Sequence, residues 1–266
     1  MNKTKKFLPL LLSFMMLTAC AAEQEPAVTT ASASEAVTTT EAVIEEELPE
    51  GTVYAEFTDG MPDGWECADG WTNGSMFNVT WRKNNVTFSD GKMQLIIDND
   101  KTPTGGIPYS GGEFRSREFY GYGRYEVSMK AIRNDGVVSS FFTYTGPSDN
   151  NPWDEIDVEI LGKDTTKVQF NYFTDSQGNH EYMHDLGFDA AEDFHTYAFE
   201  WYEDKIIWYV DGTEVHRATE NIPVTESKIM MNAWCGKGVD GWLNAFDDTA
   251  VPLSAEYQWI KFTPFE

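Results

Sequence analysis

Short stretches of this chain are either apolar or alternate apolar with polar at a period of two. They include Met93 to Ile97, Arg124 to Lys130, Val168 to Phe173, His195 to Trp201 and Ile206 to Val210. Successive side chains of a strand point to opposite faces, so each stretch reads as a β-strand with a buried side. Gly, Pro and Asn separate the stretches, and Asp211-Gly212 suits a tight hairpin because both residues tolerate positive φ. No long helical period runs through the chain. The pattern predicts an all-β fold of two packed antiparallel sheets. Its most regular piece is Glu155-Ile156-Asp157-Val158-Glu159, which sends three acids to one face and turns Ile156, Val158 and Ile160 into the core.

Like charges side by side disfavour each other's ionisation, so such a row calls for a use or for open solvent. Retaining glycoside hydrolysis needs two carboxyls about 5 to 5.5 Å apart, one as nucleophile and one as proton donor. Residues four apart on a strand have Cα atoms roughly 13 Å apart. Two long Glu side chains leaning together close most of that gap, and the Glu residues occupy the ends of this row. Asp157, short and central, is placed to hydrogen-bond one of them, keep a proton in the cluster and raise the pKa of the acid partner. A solvated acidic face and a calcium site are the alternatives that the pattern alone leaves open.

The chain divides into three parts. Lys3, Lys5 and Lys6 precede an apolar run from Phe7 to Met16, too short for the roughly 20 residues of a spanning helix. Leu17-Thr18-Ala19-Cys20 reads as a lipobox, which makes residues 1–19 a lipoprotein signal peptide and Cys20 the lipidated first residue of the mature chain. An ordinary secretory signal with an incidental Cys is the alternative. Residues 20–50 are rich in Thr, Ala and Glu; beyond Cys20 they hold no aromatic and no basic residue, and they read as a disordered tether. Residues 51–266 form the folded domain, long enough for one large sandwich. The predicted location is outside the cytoplasm, on a bacterial cell surface.

The formal charge is −25, and residues 51–266 carry 16 basic against 36 acidic side chains. A field of that sign argues against nucleic-acid binding and leaves a neutral ligand unattracted, so its benefit is solubility.

The segment Pro152-Trp153-Asp154, the acidic row, and Ile160 through Tyr172 closely resemble the active-site strand of bacterial lichenases in glycoside hydrolase family 16. The resemblance runs from about Tyr54 to Phe262 and includes Gly121 to Gly123 with Tyr125 to Lys130, Ser139 to Pro147 and Trp208 to Gly212. It implies a concanavalin-like jelly roll, an antiparallel β-sandwich with a concave glucan-binding cleft. It implies endo-hydrolysis of mixed-linkage β-1,3-1,4-glucan with retention, by a monomer that requires no cofactor. Carried over by position, Glu155 is the nucleophile, Glu159 the general acid/base and Asp157 the residue that tunes them, and this catalytic domain spans 51–266.

The matching family positions put Trp71, Asn73, Phe77, Glu113, Arg115, Phe142, Tyr144, Trp153, Gln169, Asn171, Phe173, Asn232, Trp234 and Trp242 along the cleft. Aromatic platforms under sugar rings and hydrogen bonds to hydroxyls suit an extended glucan. Phe77 and Phe142 have the alternative of simply packing in the core, and Arg115 that of a structural ion pair with Glu113. By alternation Asn232 and Trp234 share a face, as do Gln169, Asn171 and Phe173.

Departures from the family pattern matter too. A disulfide common in lichenases joins the positions held here by Val79 and Gly111, so that bridge is absent. Cys67 and Cys235 remain, and export permits a bridge between them if the fold brings them together. The family's calcium site takes an Asp where this chain has Gln258, which makes structural calcium doubtful. Trp71 and Phe173 stand where Tyr is common, keeping a platform and losing a hydroxyl. The His180–His184 spacing falls between strands rather than on a helix, against a zinc site. Two other functions stay open: a related activity on β-1,3-glucan or xyloglucan, and surface capture of glucan without cleavage.

Overall fold

The computed structural model describes residues 48–265 apart from Asp59, so the signal, Cys20 and the tether up to Glu47 lie outside the described residues. In chain order the strands are β1 (Val53–Glu56), β2 (Trp65–Cys67), β3 (Val79–Trp81), β4 (Val86–Ser89), β5 (Lys92–Asn99), β6 (Tyr109–Ser116), β7 (Gly123–Lys130) and β8 (Val137–Thr145). They continue as β9 (Asp154–Leu161), β10 (Lys167–Phe173), β11 (Tyr182–Asp185), β12 (His195–Trp201), β13 (Ile206–Val210), β14 (Thr213–Ala218), β15 (Lys228–Cys235) and β16 (Leu253–Pro264). The predicted stretches all fall within strands.

One layer runs β2-β6-β15-β8-β9-β10-β11 and the other β4-β5-β16-β7-β12-β13-β14, with β1 added along β16. All of these pairings are antiparallel; the short β3 joins β6 in parallel. A two-residue pairing of β5 with β6 links the layers at one side, so the sheet is nearly closed on itself. The hairpin predicted at Asp211-Gly212 joins β13 to β14, and both residues have positive φ.

The core lies between the layers. Ile156, Val158 and Ile160 of β9, with Met231 and Ala233 of β15, are fully buried there. Phe141 of β8 meets Phe199 of β12 at a ring separation of 5.6 Å, and Phe170 of β10 meets Trp208 of β13 at 5.6 Å. Burying such rings is what drives the layers together, at about 25 cal/mol per Å² of apolar surface. Because side chains alternate, every inward residue of β8, β9, β10 and β15 fixes an outward neighbour on the opposite face.

Gly111 and Gly112 of β6 show how tight the seam between layers is. A Cβ on Gly112 would stand 2.6 Å from the Asn85 carbonyl oxygen, and one on Gly111 would stand 3.0 Å from Val79 Cγ2. Val79 thus fills space beside a residue that has no side chain. The other two cysteines stay free: half-buried Cys67 lies 3.9 Å from the Met61 sulfur, and buried Cys235 faces the Asn78 carbonyl. The bridge that export would permit between them is not formed.

Candidate active site

Strand register assembles the site as a grid. Glu113, Asn232, Ser140, Glu159 and Gln169 lie side by side across β6, β15, β8, β9 and β10. The next row holds Arg115, Met230, Phe142, Asp157 and Asn171, and the third holds Lys228, Tyr144, Glu155 and Phe173. Directly paired residues of antiparallel strands project to the same face, so three acids two apart on β9 become the centre of a surface five strands wide. That surface is the floor of a cleft of about 740 Å³, lined by every catalytic and substrate-binding residue that the sequence singled out.

The walls are aromatic. Trp153 stacks on Phe173 at 4.6 Å beside Glu155, while Trp234 packs on Phe77 at 4.1 Å and on Trp242 at 6.0 Å. Phe142 is almost fully buried and Phe77 packs on Trp81, so both serve the packing while still reaching the cleft. Trp71 is exposed, and the Arg115 guanidinium lies over its ring at 5.0 Å. The alternative of a structural ion pair between Arg115 and Glu113 is not what the structure shows: Arg115 lines the cleft and its ion pair is with Glu66. Arg115 Nε donates to Glu66 at 2.9 Å, because Glu66 faces it directly on β2 whereas Glu113 is buried two residues along β6.

Polar groups are wired in chains. Trp81 donates to Asn73 at 2.9 Å, and Asn73 and Asn232 both direct amide hydrogens at Glu113 Oε2, at 3.3 and 3.4 Å. Burial nonetheless pushes the Glu113 carboxyl up to about 7, against the pull of Arg115 and the two amides. On the other side, Trp242 donates to Gln169 Oε1 at 3.0 Å and Gln169 Nε2 donates to Glu159 Oε2 at 2.8 Å. Asn171 keeps its side-chain oxygen buried without a partner.

Within the acidic row the three carboxyls differ. Burial raises all of them above the ordinary carboxylate range. Asp157, the most enclosed and flanked by two glutamates, is raised well above it and, protonated, directs its O–H at Glu155. Glu155 is held back by two donors, the Trp153 indole N–H and Asp157. Glu159 is raised by burial and by the charge of Glu155, with only the Gln169 amide opposing. The sequence left open which of the two glutamates Asp157 bonds. The structure puts it on Glu155, whose pKa it lowers, and leaves Glu159 high through burial and charge.

A buried anchor sets the row in place. The Asp154 carboxylate accepts from the backbone N–H groups of Asp175, Val224 and Thr225 at 2.8, 3.1 and 3.0 Å, tying two loops to the first residue of β9. Gln258 does not fit the calcium set implied by the resemblance. Its side-chain oxygen is neutral and accepts from Ser128 Oγ at 2.8 Å, and its carbonyl accepts from Phe57 N at 3.2 Å.

The cleft also takes residues that the sequence reading passed over. Ser140, Lys228 and Met230 are legible by extending the alternation from Phe142 and Asn232 by two or four positions. Asp149, which pairs with Lys228 at 3.0 Å, ends a single 3-10 turn and Glu181 sits in a loop, where no strand period reveals the facing.

The family model of glycosyl hydrolases family 16 matches residues 73–261. The chain belongs to this family. Among its relatives, a beta-glucanase of Acetivibrio thermocellus is 57% identical over 224 residues, 84% of this chain and 65% of that protein. A xylanase/beta-glucanase of Ruminococcus flavefaciens is 58% identical over 215 residues, 79% of this chain. The chain spans 65% of the first relative's length and 27% of the second's. Among solved structures, a prokaryotic beta-1,3-1,4-glucanase (lichenase) derived from a mouse hindgut metagenome superposes with a TM-score of 0.78. It is 53% identical, and the match covers 80% of this chain and 99% of that one. Family 16 membership and this superposition establish the all-β jelly roll.

Proposed function

We propose that this chain is an endo-acting hydrolase of mixed-linkage β-1,3-1,4-glucan that works by retaining double displacement. The observation that carries the reading is geometric: Glu155 and Glu159 stand two register rows apart on the floor of an aromatic-walled cleft, with Trp153 donating to the first and Gln169 to the second. In the first step Glu155 attacks the anomeric carbon while Glu159 gives its proton to the departing glycosidic oxygen, leaving a glucosyl ester on Glu155. Glu159, now ionised, then takes a proton from water as that water attacks the same carbon and frees Glu155. Asp157 keeps its own proton throughout and holds Glu155 in its attacking form.

The cleft suits an extended neutral chain. Trp71, Trp153 with Phe173, and Trp242 backed by buried Trp234 supply flat faces for sugar rings, and the unpartnered oxygen of Asn171 accepts from a hydroxyl. The similarity to a solved beta-1,3-1,4-glucanase (lichenase) supports this substrate over β-1,3-glucan or xyloglucan. Incubation of residues 51–266 with barley β-glucan, laminarin and xyloglucan, followed by viscosity and reducing ends, tests it. Rapid viscosity loss with the first alone is expected; binding without new ends would make the protein a capture module. Proton NMR of the earliest products is expected to show retained configuration.

The amino-terminal reading completes the proposal: a signal over 1–19, lipid on Cys20 and a tether to residue 50 hold the enzyme at the bacterial surface. Radiolabelled palmitate fed to a bacterial host is expected to label the wild type and not Cys20→Ala.

A further inference from the structure

Glu181 lines two hollows at once. One is the cleft, and the other is a shallow groove of about 350 Å³ at the edge of the sandwich, where residues of β11 and β14 meet. These are the end strands of the nearly closed sheet. Tyr182 of β11 stacks on His216 of β14 with 3.8 Å between ring centroids and 6° between planes, and His216 stacks in turn on Trp208 at 5.3 Å. One face of the Tyr182 ring is therefore fixed against the core while the residue stays 39% exposed. Arg217 and Glu220, both exposed, stand at the same groove.

The cleft points at this groove. The row that starts at Glu113 and passes Glu159 and Gln169 ends at Met183, which faces Gln169 on β11 and is 45% exposed. A glucan lying across β6, β15, β8, β9 and β10 thus leaves the cleft over β11, past Met183 and Glu181. Beyond that strand the sheet stops, and the groove with Tyr182 is the surface a long chain meets next.

We propose that this edge groove binds further glucosyl units of the same β-glucan chain that occupies the cleft. Tyr182 is the platform, Arg217 and Glu220 bond the hydroxyls, and Glu181 is the shared wall over which the chain turns. A polymer gains these contacts and a short oligosaccharide does not, so the enzyme favours long chains. The inference rests on the glucanase reading above.

The test is binding by calorimetry in Glu155→Gln, which cannot cleave, against mixed-linkage oligosaccharides of increasing length. Tyr182→Ala, Arg217→Ala and Tyr182→Trp are each added in that background. Affinity is expected to keep rising beyond the length that fills the cleft. Tyr182→Ala and Arg217→Ala are expected to lower it for the longest chains by about two- to tenfold, with the loss growing with length. Tyr182→Trp, which keeps a ring, is expected to retain the rise. A loss that is independent of length, or no loss at all, overturns the groove and leaves the cleft assignment standing. Failure of Glu155→Gln to bind any of these glucans overturns both.

Discussion

The indole nitrogen of Trp208 donates across the core to the main-chain carbonyl of Asp157 at 3.2 Å, joining β13 of one layer to the centre of the acidic row on the other. Tyr257 of β16 makes a similar tie to the Ser140 carbonyl at 2.9 Å. Both donors are fully buried, so removing either takes a bond from a buried carbonyl at the centre of the sheet. Trp208→Phe keeps an aromatic ring and loses the donor; unfolding in denaturant is expected to show a loss of about 1 to 3 kcal/mol.

The rate against pH is expected to be bell-shaped, with both limbs above the ordinary carboxylate range. Glu155 must be ionised, and burial raises its pKa, so activity falls on the acid side as that group takes a proton. Glu159 must be protonated, and burial with the charge of Glu155 raises it further, so activity falls on the alkaline side as it is lost. Glu159→Gln is expected to cut turnover about 10²- to 10⁴-fold and to abolish the alkaline limb, as read from kcat at successive pH values.

Asp157→Ala removes the O–H that Asp157 directs at Glu155. Glu155 then loses one of its two donors and its pKa climbs, so the acid limb moves to higher pH. Asp157→Asn still offers N–H hydrogens and carries no charge, much like the protonated acid, and is expected to restore most of the wild-type profile. Equal profiles for the two variants would remove Asp157 from the tuning of Glu155.

Asp154 accepts three backbone N–H bonds from two loops while almost fully buried. Asp154→Ala strands all three donors and is expected to cost about 3 kcal/mol or more, read as a lowered denaturation midpoint. Limited proteolysis is expected to cut first near Asp175 or Val224, where the loops come free.

Glu113 gives a pH-dependent stability. Its folded pKa is raised to about 7 by burial, so folding favours the protonated form. That contribution is complete below the ordinary glutamate pKa and is lost as pH rises through about 7. Glu113→Gln does not titrate. Between about pH 5 and about pH 9 the wild type is expected to lose stability relative to the variant, by up to about 3 kcal/mol in denaturant unfolding.

The period of two along the sequence was enough to place the acids of Glu155 to Glu159 on one face and Ile156, Val158 and Ile160 on the other. It was enough because the side-chain direction of a strand is a local property of its backbone. The same rule aligned Gln169 with Asn171 and Asn232 with Trp234, and turn chemistry located the hairpin at Asp211-Gly212. Partners far apart in the chain obey no such rule. That Arg115 bonds Glu66, that Asp149 and Glu181 reach the cleft and that Tyr182 meets His216 all depend on how the layers close. Closure is a property of packing between segments tens to more than a hundred residues apart, and of which charges that packing removes from water. Local alternation fixed the identity of the cleft face; only the tertiary contacts decided which of its acids hold protons and where the cleft leads.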